Sequence, residues 1–193
     1  MSLIASIEGV LEAKRTDSAL VRVGGVTFLI AVPSHDLAAL PSPGIAVKLV
    51  THLVVREDDL QLYGFADERG RTMFESLLGI SGVGPKAALA ILSVMSAEAL
   101  ASAILSGDAI AITKAQGVGK RTASRIILEL KGKLEPDWAL GHATPGDRDV
   151  IDALTALGYS DTEARQAVAA IPKDDSLSMD ERVRDALQCL AGA

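Results

Sequence analysis

Aromatic residues make up only 3% of this 193-residue chain, and it holds a single cysteine. With so few rings, burial must come from Ala, Leu, Ile and Val, and stacking on exposed bases is not expected as the main binding mode. A lone Cys189 excludes an internal disulfide framework and fits a reducing compartment, so a cytoplasmic location is expected. Three scattered histidines, His35, His52 and His142, offer no metal-ligand set. The apolar segment Ala87 to Val94 is short and no basic, apolar leader opens the sequence, so neither a membrane span nor an export signal is expected.

What the chain does have is one short motif written twice. Gly82-Val83-Gly84-Pro85-Lys86-Ala87-Ala88 returns 35 residues later as Gly117-Val118-Gly119-Lys120-Arg121-Thr122-Ala123. The equivalence extends outward to Leu77 with Ile112 and Ile91 with Ile126, and each copy lies between apolar helical stretches. The unit is therefore helix, tight glycine turn, helix. Glycines can take positive φ and put no Cβ in the way of an approaching ligand. The first N–H groups of the following helix have no internal partners and sit at the positive end of its dipole, so an anion completes the cap. Pro85, near the first helical position, has no N–H to lose. Lys86 in one copy and Lys120 with Arg121 in the other add mobile cations. Contacts of this kind hold a duplex by its backbone without reading bases.

Other glycine motifs fit less well. A nucleotide-binding P-loop needs a glycine five residues before the Gly-Lys pair and Ser or Thr after it; this chain has Lys114 and Arg121 there. Gly82-x-Gly84-x-x-Ala87 loosely matches a dinucleotide fingerprint, which requires a preceding strand, whereas Arg71 to Leu78 reads as helix. A plain interhelical turn would explain one copy; two copies flanked by cations favour phosphate.

A net charge of −6 looks unsuited to DNA until it is divided along the chain. Residues 1–64, 65–135 and 136–193 carry −2, +2 and −6. Within Ile112–Lys133, six cations (Lys114, Lys120, Arg121, Arg125, Lys131, Lys133) face the single acid Glu129. Positive charge thus gathers at the second hairpin, although a solvated helix face accounts for Lys131 and Lys133.

The fold class expected is multidomain. Residues 1–64 read as five short strands, Leu3–Leu11, Ala19–Val23, Thr27–Val32, Val47–Val55 and Leu60–Phe65, enough for a small β-barrel. Residues 65–135 read as an all-α domain bearing both hairpins. A mobile linker is expected over 136–148. Residues 149–193 read as a small, acidic three-helix bundle, with helices at about Asp149–Leu157, Asp161–Ile171 and Met179–Leu190, suited to a protein partner and not to DNA.

Between the last two strands lies Arg56-Glu57-Asp58-Asp59, an acidic tip that would repel phosphate and could steer strands apart. Metal ligation for a nuclease is the enzymatic alternative, but adjacent residues at a turn converge poorly on one ion. An ordinary solvated turn is the plain alternative.

Together, Val55-Arg56-Glu57-Asp58 leading to Leu62-Tyr63-Gly64-Phe65, and the two glycine motifs, resemble the RuvA family of Holliday-junction-binding subunits in order and spacing as well as content. The resemblance covers nearly the whole chain. It implies that the barrel is an OB-fold, that the middle domain is a double helix-hairpin-helix, and that the C-terminal domain is a tethered motor-binding module. It implies an acidic pin at Glu57 and Asp58, and a homotetramer or paired tetramers around four-way junction DNA. The expected partners are the RuvB ATPase ring and, in the same complex, the RuvC resolvase. Leu154, Leu157, Ile171 and Leu187 stand at the apolar positions matching the motor contact, though a small bundle needs such residues for its own core.

The DNA-backbone set expected is Gly82, Val83, Gly84, Lys86, Gly117, Val118, Gly119, Lys120, Arg121 and Arg125. No catalytic residue, metal, cofactor or small-molecule substrate is expected, and the function implied is a non-catalytic junction-binding scaffold for branch migration. A helix-hairpin-helix repair nuclease or glycosylase is the alternative, with the Glu57–Asp59 tip and Asp137 as its only candidate acids. A general OB-fold duplex or single-strand binder is a third reading.

Overall fold

A computed structural model describes residues 3–134, 138, 145–171 and 178–191. It divides into two compact units, one ending at Lys133 and one beginning at Leu134.

The first unit opens with five strands: β1 (Ser6–Lys14), β2 (Ser18–Val23), β3 (Val26–Ala31), β4 (Ala46–Val55) and β5 (Leu60–Phe65). They close in the order β1-β2-β3-β5-β4, with β4 returning to pair antiparallel with β1 from Ser6↔Val50 to Val10↔Ala46. Closure leaves no free edge to template aggregation. Strand alternation fills the interior, as where Val47, Leu49 and Thr51 point inward from β4. β3 and β5 run parallel and meet only at Ile30↔Leu62 and Ala31↔Tyr63. This is the OB-fold expected from the sequence.

Two details differ from the sequence reading. β1 runs three residues later than Leu3–Leu11, because its partners set its ends: β4 begins pairing at Ser6 and β2 holds Lys14 against Ala19. Also, a short helix α1 (Ser34–Ala39) interrupts the all-β stretch and sends Leu37 into the barrel core. Six residues are too few to display a helical period in the sequence.

The helices that follow are α2 (Glu68–Leu78), α3 (Pro85–Val94), α4 (Ala97–Ser106), α5 (Ala109–Ile112) and α6 (Lys120–Leu130). Asp67 caps α2 by accepting from the Gly70 N–H at 2.8 Å. Gly107 ends α4 in the left-handed region, and the Asp108 N–H returns to the Ala103 carbonyl at 2.8 Å, a helix stop that suits glycine. The barrel is joined to this bundle by rings. Phe74 of α2 meets Tyr63 and Phe65 at centroid distances of 4.9 and 5.0 Å, and His52 at 5.7 Å. The His52–Glu75 hydrogen bond of 2.9 Å lies on the same seam. Tyr63, Phe65 and Phe74 are thus spent on holding the first unit together.

The second unit is a three-helix bundle of α7 (Pro145–Ala156), α8 (Asp161–Ala170) and α9 (Met179–Ala191). Its core includes Val150, Leu154, Ala164, Val168, Ile171 and Ala186. α7 starts four residues ahead of the Asp149 expected, and Pro145 suits a helix start because it has no N–H to satisfy. Asp147 of that first turn is buried and forms an ion pair with Arg182 of α9. Of the expected linker, residues 136–137 and 139–144 lie outside the described residues, Asp137 among them.

Candidate nucleic-acid interface

The two motifs fold alike. Gly82 and Gly117 have φ of 87° and 81°, where a Cβ would be strained, while Gly84 and Gly119 have φ of −92° and −86°, open to any residue. Only the first glycine of each pair is therefore required by the turn. The second has nothing within 4 Å of where its Cβ would stand, so nothing inside the protein demands glycine there. A bare position at a helix start suits a ligand that approaches the backbone from outside.

The hydrogen bonds repeat as well. Val83 N–H reaches the Ile80 carbonyl at 3.0 Å, and Val118 N–H reaches Ala115 at 3.1 Å. The first helical bonds are Ala88 to Gly84 at 3.0 Å and Ala123 to Gly119 at 2.9 Å. The N–H groups of Lys86 and Ala87, and of Lys120, Arg121 and Thr122, have no protein partner among the described residues. By contrast α2, α4, α5 and α8 are capped by Asp67, Ser96, Asp108 and Ser160. Ser178 caps α9 in the same way. The short α1 also starts without a side-chain cap, at Pro33, but α3 and α6 alone among the described caps start at glycine, where α2, α4, α5, α8 and α9 have Ser or Asp.

The expected backbone-contact residues separate into three kinds. Lys86, Lys120 and Arg121 are exposed beside the uncapped N-termini. Val83 and Val118 are each 5% exposed and their N–H groups are already bonded, so they pin the turns into the core and offer an outside anion nothing. Arg125, half-buried on α6, donates from Nη1 to the Ser81 carbonyl at 2.8 Å and so reaches across to the first hairpin.

The acidic tip is the β4–β5 hairpin, closed by the pair Val55↔Leu60 and by the Arg56 N–H donating to the Asp59 carbonyl at 2.9 Å. Glu57 and Asp58 are exposed and have no partner among the described residues. Asp59 differs: it accepts from the Gln61 amide at 2.7 Å, and Gln61 accepts from the Tyr63 hydroxyl at 2.5 Å. Burial pushes the Tyr63 phenol above its ordinary 10.0, Arg56 pulls it down, and Asp59 adds to the rise. This tie, invisible to sequence spacing, gives Asp59 a supporting part and leaves Glu57 and Asp58 free at the apex. Asp59, Tyr63 and Lys86 line one groove, so the hairpin base and the first phosphate candidate share a face of the unit. Among the described residues, no group of three or more His, Cys, Asp or Glu is arranged to hold a metal ion.

In the second unit, Leu154 and Ile171 are core residues and Leu187 packs half-buried against them. Leu157 is 61% exposed at the end of α7. Of the four apolar candidates it alone presents most of its side chain to the outside. No single helix among the described residues is long and apolar enough to cross a membrane.

Comparison with known proteins agrees along the chain. Residues 3–64 match the family model described as RuvA N terminal domain, 74–133 the SAM-like helix-hairpin-helix tandem, and 148–191 the RuvA C-terminal domain. The chain is 45% identical over 188 residues to the Holliday junction branch migration complex subunit RuvA of Dehalococcoides mccartyi, covering 96% of this chain and 97% of that one. The same-named proteins of Chloroflexus aurantiacus and Albidiferax ferrireducens are 44% and 43% identical, each alignment covering at least 97% of both chains.

Proposed function

The chain belongs to the RuvA family, and from that membership we propose that it is the non-catalytic DNA-binding subunit of a branch-migration complex acting in recombination and repair. The observation that carries this reading is the repeated pair of uncapped helix N-termini, on one unit with an acidic hairpin. Each bare N-terminus supplies fixed N–H donors to a phosphate oxygen, and Lys86, Lys120 and Arg121 neutralise charge around it. None of these groups needs to touch a base, so a duplex arm can be held while its sequence slides past.

The partners proposed are those that family membership implies, and the same chemistry suits them. A four-way junction has four arms, and a homotetramer offers two phosphate sites to each, or four where two tetramers pair around it. Weak contacts joined in one ring gain affinity through multivalency. Glu57 and Asp58, brought near the crossover, repel the phosphates of strands that are being exchanged. The repeat fails the P-loop pattern, and family membership implies that translocation energy comes from another protein, the RuvB ATPase ring, engaged through Leu157 on the acidic C-terminal bundle. RuvC resolvase joins the same complex, which works in the cytoplasm.

A gel-shift comparison of a synthetic four-way junction with linear duplex of the same sequence, in Mg²⁺, tests the reading. The expected result is strong preference for the junction, intact DNA, and affinity that falls with salt by about 0.9 log unit per phosphate contact for each log unit of salt. Equal binding to both substrates would replace the scaffold by a general duplex binder, and cleavage would replace it by a repair nuclease.

A further inference from the structure

The two hairpins are copies, but one bond between them is not copied. Arg125 Nη1 donates to the Ser81 carbonyl at 2.8 Å, joining α6 to the residue just before Gly82. Shifting by the 35-residue repeat puts Ala90 where Arg125 stands and Gln116 where Ser81 stands. At the position equivalent to Arg125, the Ala90 side chain has no donor with which to return the contact. Arg125 is the sole cation of the second motif's helix that lies beyond its first turn and bonds to the other hairpin.

From this asymmetry we infer that Arg125 is a positioning residue, which holds the first phosphate-binding turn in register with the second, and is not itself a phosphate ligand. The inference rests on the proposed DNA-backbone reading of the hairpins. A charged donor on a carbonyl is among the stronger hydrogen bonds, and this one spans 44 residues of chain. Because the peptides are trans, holding the Ser81 oxygen also sets the direction of the Gly82 N–H on the far side of the same plane. The left-handed Gly82, free to pivot in isolation, is thereby fixed at φ 87°. Two sites that must grip one duplex together gain from a fixed separation, since a loose second site forfeits effective concentration. The carbonyl engages one of the five N–H donors of the guanidinium, and that bond is what serves geometry.

The test uses the full chain as Arg125→Ala and as Arg125→Met, the latter keeping much of the aliphatic stem. Junction affinity is measured across a salt series beside Lys120→Ala. Brace and ligand predict different slopes. Expected for both Arg125 variants is a loss of about tenfold, the size of one charge-assisted hydrogen bond, with an unchanged salt slope. Lys120→Ala lowers the slope by about 0.9. In the DNA-free protein, amide exchange at Val83 should quicken in the Arg125 variants while Val118, its repeat partner, stays as in the wild type. A slope that falls for Arg125→Ala as it does for Lys120→Ala would make Arg125 a phosphate ligand and overturn the inference. Unchanged exchange at Val83 would overturn it too. Because exchange is read without DNA, failure of the wild-type protein to prefer junctions would sink the functional reading while leaving the brace to stand or fall by itself.

Discussion

Gly117 and Gly119 are separated by one residue and do different work. Gly117 sits at φ 81°, so Gly117→Ala should cost about 1–2 kcal/mol of stability, the penalty for a side chain in the left-handed region. Urea unfolding of the full chain measures it, and the weakened binding expected should scale with the damaged turn. The sequence displayed both glycines as equals; φ distinguishes them, and φ depends on how Val118 docks into the core beneath the turn. The same limit applies to Val83, Val118 and Arg125. Their residue types and places in the motif suggested contact with DNA; the structure adds that the valine side chains are buried and that one N–H group of the arginine bonds a carbonyl 44 positions away.

Among the helices and hairpins, the bare caps offer the sharper experiment. Gly119→Ser supplies a hydroxyl like those that cap α4, α8 and α9 and fits the extended backbone there. It should raise thermal stability slightly, by a few tenths of a kcal/mol (roughly), because Ser is only modestly better than Gly as a cap. It should also lower junction affinity, since the hydroxyl now competes for the N–H groups that phosphate needs. A variant both more stable and equally tight would remove the anion site from α6. At the β4–β5 tip, Glu57→Gln with Asp58→Asn should leave binding intact or tighter, and alter the unpaired centre of the junction or the rate of migration when the motor is present. Weaker binding with migration unchanged would return the tip to an ordinary turn.

The two units should respond to different stresses. In the C-terminal bundle, Glu163 and Glu181 each accept from the hydroxyl and N–H of the serine three residues earlier, which holds both carboxyls below their ordinary 4.5. A lowered folded value means that the stabilisation is complete above 4.5 and is lost as pH falls through the depressed values. Acidification below 4.5 should therefore fray the starts of α8 and α9, followed by the amide resonances of Glu163 and Glu181. Glu163→Gln and Glu181→Gln, which keep a cap without a titrating group, should flatten that response. A partner-directed defect should be separable from DNA binding: Leu157→Ser should leave junction affinity unchanged and reduce motor-driven migration several-fold, read in a strand-exchange assay. Loss of both together would mean that the bundle itself had failed.

Sequence alone settled the features that are local or repeated. Short runs rich in β-branched residues between turn signals marked all five strands, because such side chains suit an extended backbone; the 35-residue repeat marked both hairpins, because each is built from contacts a few residues apart. It also marked where cations gather and where the acidic tip falls. Long-range pairing decided the rest. The closing order of the barrel, the aromatic seam around Phe74, the Asp147–Arg182 pair, the Asp59–Gln61–Tyr63 tie and the Arg125 bond across the hairpins join groups that nothing in local spacing relates. Burial made the final division among like residues: Leu154 and Leu157 are three positions apart on one helix, and packing sends the first into the core and leaves the second facing out.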